Sequence, residues 1–277
     1  MNITFIGGGN MATAIIGGLI QRGWDKAQLS VVEIVPAARE KLTQNFGVRT
    51  LASISEIAQQ ATTPDCVVLA IKPQQMREVA HELAPHIKNT LVITIAAGIR
   101  ASDLSRWLSY GQQTHTRIVR VMPNTPALVL AGVSGLYALP AVSSEDRECA
   151  ASILAAVGEI VWVEKESDID AVTAVSGSGP AYVFYFIEAL EQAGRDMGLS
   201  VAAARQLALA TFTGSSKLAA QSSEDAATLR ARVTSKGGTT ERAIASMEGA
   251  QIKAAIIRAV KAAQARSVEL GNELGRD

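Results

Sequence analysis

FIGGGNMATAIIGGL, residues 5–19, joins a short apolar run to three consecutive glycines and then to apolar residues at helical spacing. Gly7, Gly9 and Ala12 stand in the order G-x-G-x-x-A between an expected strand and an expected helix. In that arrangement Gly7 permits a tight turn, Gly9 lets backbone approach a pyrophosphate, and Ala12 lets the helix pack closely on the strand. The N–H groups that open the helix lack intrahelical partners, and the helix dipole adds to their attraction for phosphate. Gly7, Gly8, Gly9, Asn10 and Met11 are therefore the expected dinucleotide-phosphate residues. A glycine-rich turn with no ligand is the plainer alternative.

The sequence that follows agrees with a dinucleotide fold. NITFI (2–6), LSVVE (29–33), DCVVLAI (65–71), TLVITIA (90–96) and TRIVRVM (116–122) are short, apolar and rich in Val and Ile. Strands of a parallel sheet covered on both faces read this way. Helical patterns separate them, NMATAIIGGLIQRG and PAAREKLTQNFG among them, closed by Gly23 and Gly47. The alternation predicts a doubly wound α/β domain, Rossmann-like, over residues 1–163, ending with the helix SSEDRECAASILAAVG and the strand EIVWVE. Beyond Val163 strand signals stop. Residues 164–277 read as alanine-rich helices punctuated by glycines, an all-α domain with few large side chains for a core of its own. A second copy of the chain is expected to cover its apolar faces.

Bulk properties narrow the partners. The 26 basic and 26 acidic residues cancel, which leaves no basic excess for nucleic acid or an anionic membrane. No apolar run reaches the roughly 18 residues of a membrane span. Cys66 and Cys149 form neither a disulfide framework nor a metal spacing, and read as reduced, buried thiols of a cytoplasmic protein.

In open α/β sheets ligands bind at the carboxyl ends of the strands. Glu33, at the end of the second strand, is positioned to bind an adenosine ribose and favour NADH, whereas Arg39 nearby suits the 2′-phosphate of NADPH. The loops AIKPQQ (70–75), IAAGI (95–99) and VMPNTPA (121–127) should line the same crevice. The cofactor set is thereby extended to Ala70, Lys72, Pro73, Ala97, Gly98, Pro123, Asn124 and Thr125. None of these loops offers an obvious acid or base. His81 and His86 fall at a helix end and His115 in a polar loop, and all three read as surface residues. With no protein acid in evidence, an imine is a fitting substrate, because an iminium accepts hydride directly.

SKGGTTERA (235–243) interrupts the helical half. It either ends one helix and caps another through Thr239, or turns its amides inward to hold a small anion.

Together, RVMPNTPALVLAG, AVSGSGPAYVFYFIEAL, LRARVTSKGGTTERAI, IGGGNMATAIIGGL and AIKP resemble the Δ1-pyrroline-5-carboxylate reductases, over residues 3 to about 260. The resemblance implies NAD(P)H-dependent reduction of a cyclic imine to L-proline, with no metal. It implies that Ser235, Gly237, Gly238 and Thr239 hold the substrate carboxylate, that the Thr240 hydroxyl reaches the ring nitrogen as the catalytic group, and that Ser176 lies in a wall of the substrate site. It further implies homodimers through the helical domain, built up into larger rings such as a decamer. Lys236 stands where many relatives have proline, and Glu33, Ile34 and Val35 depart from an NADP-type loop, so the choice between NADH and NADPH stays open. A related imine, such as a pyrroline-2-carboxylate or a piperideine carboxylate, is the alternative substrate. A non-catalytic dinucleotide-binding protein is the alternative role.

Overall fold

The computed structural model describes residues 1–59 and 63–276. Its sheet runs in the order β3-β2-β1-β4-β5-β6-β7-β8. The strands are β1 (Ile3–Ile6), β2 (Leu29–Val32), β3 (Arg49–Leu51), β4 (Cys66–Leu69), β5 (Leu91–Thr94), β6 (Ile118–Met122), β7 (Gly132–Ala138) and β8 (Gly158–Trp162). All neighbours pair in parallel except β6 with β7. The chain moves outward through β2 and β3 on one side of β1 and through β4, β5 and β6 on the other. That reversal of order makes a crevice beyond the carboxyl ends of β1 and β4.

Alternation explains why the central strands look apolar throughout. Ile3 and Phe5 join one core while Ile6 joins the other; Cys66 and Val68 divide likewise from Val67 and Leu69. Successive side chains point to opposite faces, and both faces are covered. Ile15, Ile16 and Leu19 of α1 (Asn10–Gln21) and Ile153 and Leu154 of α5 (Ser144–Ala155) fill the first core. Met76, Ala80 and Leu83 of α3 (Met76–Leu83) and Leu104 and Trp107 of α4 (Ala101–Trp107) fill the second. Between them in sequence, α2 (Pro36–Phe46) adds Leu42 to the first core and ends at a left-handed Gly47.

Two strands were not legible in the sequence, and the sheet is not wholly parallel. Arg49–Leu51 is too short and too polar to stand out. Gly132–Ala138 carries glycines at 132 and 135 that break the apolar run. Gly135 is there for packing, since a Cβ would lie 2.5 Å from a methyl of Val172. EIVWVE does become the last strand, but it follows β7 in direction and so opposes the first six. Two expected burial states also change. His115 is buried rather than superficial, and burial holds its imidazole below the usual histidine value. Cys149 is half-buried, while Cys66 is fully enclosed.

The chain packs as two compact units, Met1–Ser178 with the C-terminal segment from Ala263, and Gly179–Ala262. The last strand ends near Val163, but residues 164–178 remain attached to the sheet. Glu166 accepts from Arg120 of β6 at 3.0 Å, and α6 (Asp168–Val172) packs on β7. The end of α11 (Ile252–Leu274) joins the same unit: Arg100 donates to Asn272 at 2.7 Å and Ser267 donates to the buried Asp170 at 2.7 Å. In the other unit, α7 (Gly179–Asp196) packs on α8 (Val201–Gln221), where the space at Gly194 meets the Ala204 methyl. Within those two helices only Gly194, Ala204 and Ala208 are buried, while Phe184 is 64% and Tyr185 72% exposed. Short helices α9 (Ala226–Arg232) and α10 (Thr239–Gly249) follow.

Adjacent glycines in α1 separate packing from propensity. A Cβ at Gly18 would lie 2.5 Å from the Ala156 carbonyl oxygen, whereas at Gly17 it would meet the edge of the Phe46 ring at 3.3 Å. Gly18→Ala is expected to lower stability by about 1–3 kcal/mol through overpacking. Gly17→Ala should leave it unchanged or raise it by up to about 1 kcal/mol through helix propensity. Urea unfolding midpoints of the two variants check this contrast.

Candidate functional site

The turn after β1 is held by backbone. Gly7, at φ +94°, donates its N–H to the Val32 carbonyl at 2.8 Å, and a Cβ there would sit 2.7 Å from the Ala70 carbonyl oxygen. At Gly8 a Cβ would strike Leu42 at 2.6 Å, but at Gly9 it would meet nothing within 4 Å. The first two glycines are thus closed in by neighbours and the third faces open space. Gly9 is the N-cap of α1 and brings no side-chain cap, so the amides at Asn10 and Met11 open the helix without a side-chain acceptor. Gly7, Gly8, Gly9, Glu33, Ala70 and Lys72 line one cleft of about 430 Å³. Its glycine backbone, its uncapped helix end and its apolar walls fit a dinucleotide.

Glu33 is oriented over this turn. Its carboxylate accepts from the Gly8 N–H at 2.9 Å and from the Val35 N–H at 2.9 Å. Arg39 does not pair with that carboxylate. Its Nη1 donates to the carbonyl oxygens of Glu33 at 2.7 Å and Ile34 at 3.0 Å, so the loop backbone shapes the position of the guanidinium.

Other expected cofactor residues lie outside the lining of that cleft: Asn10, Met11, Pro73, Ala97, Gly98, Pro123, Asn124 and Thr125. Gly98 has a packing reason for lacking a side chain, because a Cβ would lie 2.9 Å from Leu274. Ala97 beside it is exposed. Asn124 is buried and bridges three segments. Its Oδ1 accepts from the Val133 N–H at 2.9 Å, and its Nδ2 donates to the Ser176 carbonyl at 3.2 Å. The fold therefore brings the MPNTPA loop and Ser176 together through Asn124.

Ser176 lies in a single π turn, Thr173–Gly177. The Ser178 N–H reaches back to the Thr173 carbonyl at 2.8 Å, and the hydroxyls of Thr173 and Ser176 donate to the carbonyls of Ile169 and Val172. Such back-bonding widens a helical turn. Gly177 completes it, as a Cβ would lie 2.5 Å from the Met122 methyl. Sequence reasoning passed over the support beneath these loops. Glu166 accepts from the Ala101 N–H at 2.6 Å as well as from the buried Arg120. The available signal was an arginine in the middle of the otherwise apolar run TRIVRVM.

In the helical unit, Ser235–Thr240 forms the turn into α10. Gly238 is the N-cap and Thr239 the first helical residue; no side chain caps the end. Thr239 therefore does not cap the helix. Gly237 adopts φ +74°, and its N–H donates to Glu241 Oε2 at 2.7 Å. The Gly238 N–H donates to the Ser235 carbonyl at 3.0 Å, and a Cβ at Gly238 would strike Ser235 Oγ at 2.7 Å. Both glycines are needed for a turn that holds the Ser235 hydroxyl against an uncapped helix end. Ser235, Lys236 and Thr239 are exposed and Thr240 is half-buried. Among the described residues no cluster could hold a metal ion, and no helix is long and apolar enough to cross a membrane.

Residues 166–270 match the family described as pyrroline-5-carboxylate reductase dimerisation, and residues 2–98 match the one described as NADP oxidoreductase coenzyme F420-dependent. The chain is 44% identical to the pyrroline-5-carboxylate reductase of Pseudomonas aeruginosa, over 99% of this chain and 98% of that one. The solved structure of a pyrroline-5-carboxylate reductase from Coxiella burnetii is 40% identical and superposes with a TM-score of 0.89, covering 97% of this chain and 98% of that chain. The Plasmodium falciparum pyrroline carboxylate reductase, solved with NADP bound, is 31% identical with a TM-score of 0.84, covering 98% of each chain. With this likeness across nearly its whole length, in sequence and in fold, the chain belongs to the pyrroline-5-carboxylate reductase family.

Proposed function

We propose that this chain reduces 1-pyrroline-5-carboxylate to L-proline in the cytoplasm, with residues 164–277 as its dimerisation and substrate-binding domain. The observation that carries the reading is the uncapped start of α10, where two glycines and Ser235 shape a turn suited to a small carboxylate. Free N–H groups at a helix start favour anions, and charge-assisted bonds to them are the stronger ones. Ser235, Gly237, Gly238 and Thr239 hold the carboxylate, and Thr240 Oγ1 accepts from the ring N–H of the iminium, which keeps that proton on nitrogen. A dihydronicotinamide dinucleotide held in the Gly7–Gly9 cleft would supply hydride to the imine carbon of the ring, the C=N carbon on the other side of nitrogen from the carboxylate-bearing carbon. The iminium charge is neutralised by the hydride, so the protein need supply no acid to form the amine. Pro123, Asn124 and Thr125 shape the nicotinamide end, with Asn124 pinning the loop to Ser176, and Ala70, Lys72, Pro73, Ala97 and Gly98 shape the middle.

The Glu33 carboxylate, fixed by the Gly8 and Val35 amides, favours NADH: it accepts from a ribose 2′-OH and repels a 2′-phosphate. Exposed apolar side chains on α7 and α8 pair with a second copy, and further packing of dimers builds a larger ring such as a decamer.

Steady-state kinetics with the imine at matched NADH and NADPH should show turnover, with kcat/KM at least about tenfold higher for NADH because like charges disfavour the other complex. Glu33→Ser should narrow that gap. Failure to oxidise either cofactor overturns the reaction, whereas a preference for NADPH overturns only the role of Glu33. Thr240→Ala should lower kcat by about 10- to 100-fold, the loss of one hydrogen bond to a charged group, with an unchanged thermal melt. Light scattering at micromolar concentration should find no monomer; a monomer there would remove the dimer.

A further inference from the structure

The turn that opens α10 uses two of its own amides. Gly238 donates its N–H to the Ser235 carbonyl at 3.0 Å, which closes a turn over Ser235, Lys236, Gly237 and Gly238. Gly237, third in that turn, has φ +74°, while Lys236, second, has a negative φ. Those signs define a type II turn, whose third position requires left-handed backbone. A Cβ at Gly237 would meet nothing within 4 Å, so glycine stands there for its conformation and not for space. The Gly237 N–H is taken from the helix side: Glu241 Oε2 accepts it at 2.7 Å.

Gly237 and Gly238 therefore serve a bound carboxylate by shape, since their N–H groups are engaged within the turn. The helix itself begins with the bond from the Arg242 N–H to the Gly238 carbonyl at 3.3 Å. The amides of Thr239 and Thr240 precede that bond and meet no capping side chain. Together with the Ser235 hydroxyl, they remain to receive the anion. Lysine at the second position of the turn leaves its backbone free to rotate, where a proline would fix φ at about −65°. The constraint comes instead from Glu241, an exposed residue in the first turn of α10 that reaches back to Gly237.

We propose, resting on the carboxylate reading of this turn given above, that Glu241 is a positioning residue for the substrate. By accepting from the Gly237 N–H it locks the type II turn, and the locked turn keeps Ser235 Oγ at the open end of α10. Glu241 touches neither substrate nor cofactor. Its contribution is order present before the substrate arrives, which reduces what binding must spend on ordering the loop. Such an effect is equal in the ground state and the transition state, so it falls on KM and leaves kcat alone. The bond needs an acceptor of the right reach, not a charge, and the amide oxygen of glutamine meets that need. Proline at position 236 would impose the same turn from the other side by limiting the unfolded alternatives of the loop.

The test is steady-state kinetics of the full chain with 1-pyrroline-5-carboxylate at saturating dihydronicotinamide cofactor. Glu241→Ala should raise KM for the imine about 5- to 10-fold, the scale of one hydrogen bond, with kcat within about twofold of wild type. Glu241→Gln, which keeps the bond, should hold KM within about twofold of wild type. Adding Lys236→Pro to Glu241→Ala should return KM to within about threefold. Hydrogen exchange at the Gly237 amide, read by mass spectrometry with fragmentation along the chain, follows the turn without turnover. It should quicken by about fivefold or more in Glu241→Ala and stay at the wild-type rate in Glu241→Gln. A KM that falls in Glu241→Ala, as expected of a side chain competing with the substrate for the amides, overturns the proposal. So does an unchanged KM there, with or without a lower thermal melt, a glutamine variant as impaired as the alanine one, or a proline that gives no rescue. A wild-type chain that does not turn over the imine overturns the reaction itself, while exchange at Gly237 still reports on the Glu241 bond, so the two failures are distinguishable.

Discussion

The nucleotide-binding unit depends on one close approach of backbone to backbone. Gly7 carries the chain out of β1 with its N–H on the Val32 carbonyl and its α-carbon against the Ala70 carbonyl, so three strand ends converge within one turn. A side chain there would push β1 away from the β4 loop and remove the left-handed φ that turns the chain into α1. The remaining features of the cleft follow. α1 starts with its amides toward open space, Leu42 closes under Gly8, and Glu33 is drawn over the turn by the Gly8 N–H. The same few backbone atoms that fix the fold therefore also fix the place of an acidic group beside the glycine turn.

The helical unit is organised by scarcity of large side chains. Alanine and glycine let α7 approach α8 closely at Gly194 and Ala204, but small side chains bury little area. The large apolar residues face outward instead. Covering a side chain such as Phe184 is worth about 1.5–3 kcal/mol, and a chain that leaves so many exposed gains that stabilisation only by association. The dimerisation family to which residues 166–270 belong is a direct expression of that composition.

Between the strands and the helices, residues 164–178 are held by polar contacts in addition to the packing of Ile169 and Val172. Glu166, Arg120, Asp170, Ser267 and Asn124 each bond to a partner distant in sequence. The π turn at Ser176 sits on this framework, with Gly177 against Met122. Buried polar groups of this kind are costly unless paired, so they specify one arrangement of the MPNTPA loop and the turn. The departure from regular helix at Thr173–Gly177 is supported by hydroxyls returning to the backbone.

Much of the architecture could be read from local chemistry. Gly7, Gly9 and Ala12 specify the strand-turn-helix because steric allowance at single residues decides it. The five apolar runs specify buried strands because both faces of the sheet are covered, and alanine with glycine specifies close-packed helices. SKGGTT was legible as either a cap or an anion cradle, and its geometry, with Gly238 at the cap and no capping side chain, is that of an open helix end. What could not be read locally was whatever depends on a distant partner. β7 was hidden because its glycines answer to Ala127 and Val172, Gly98 because it answers to Leu274, and Asn124 because its partners are Val133 and Ser176. His115 and Cys149 changed their exposure for the same reason. Sequence by itself determined the elements whose cause lies within a turn or a strand. Tertiary structure alone decided the pairings, because burial and hydrogen bonding across the fold are properties of two segments at once.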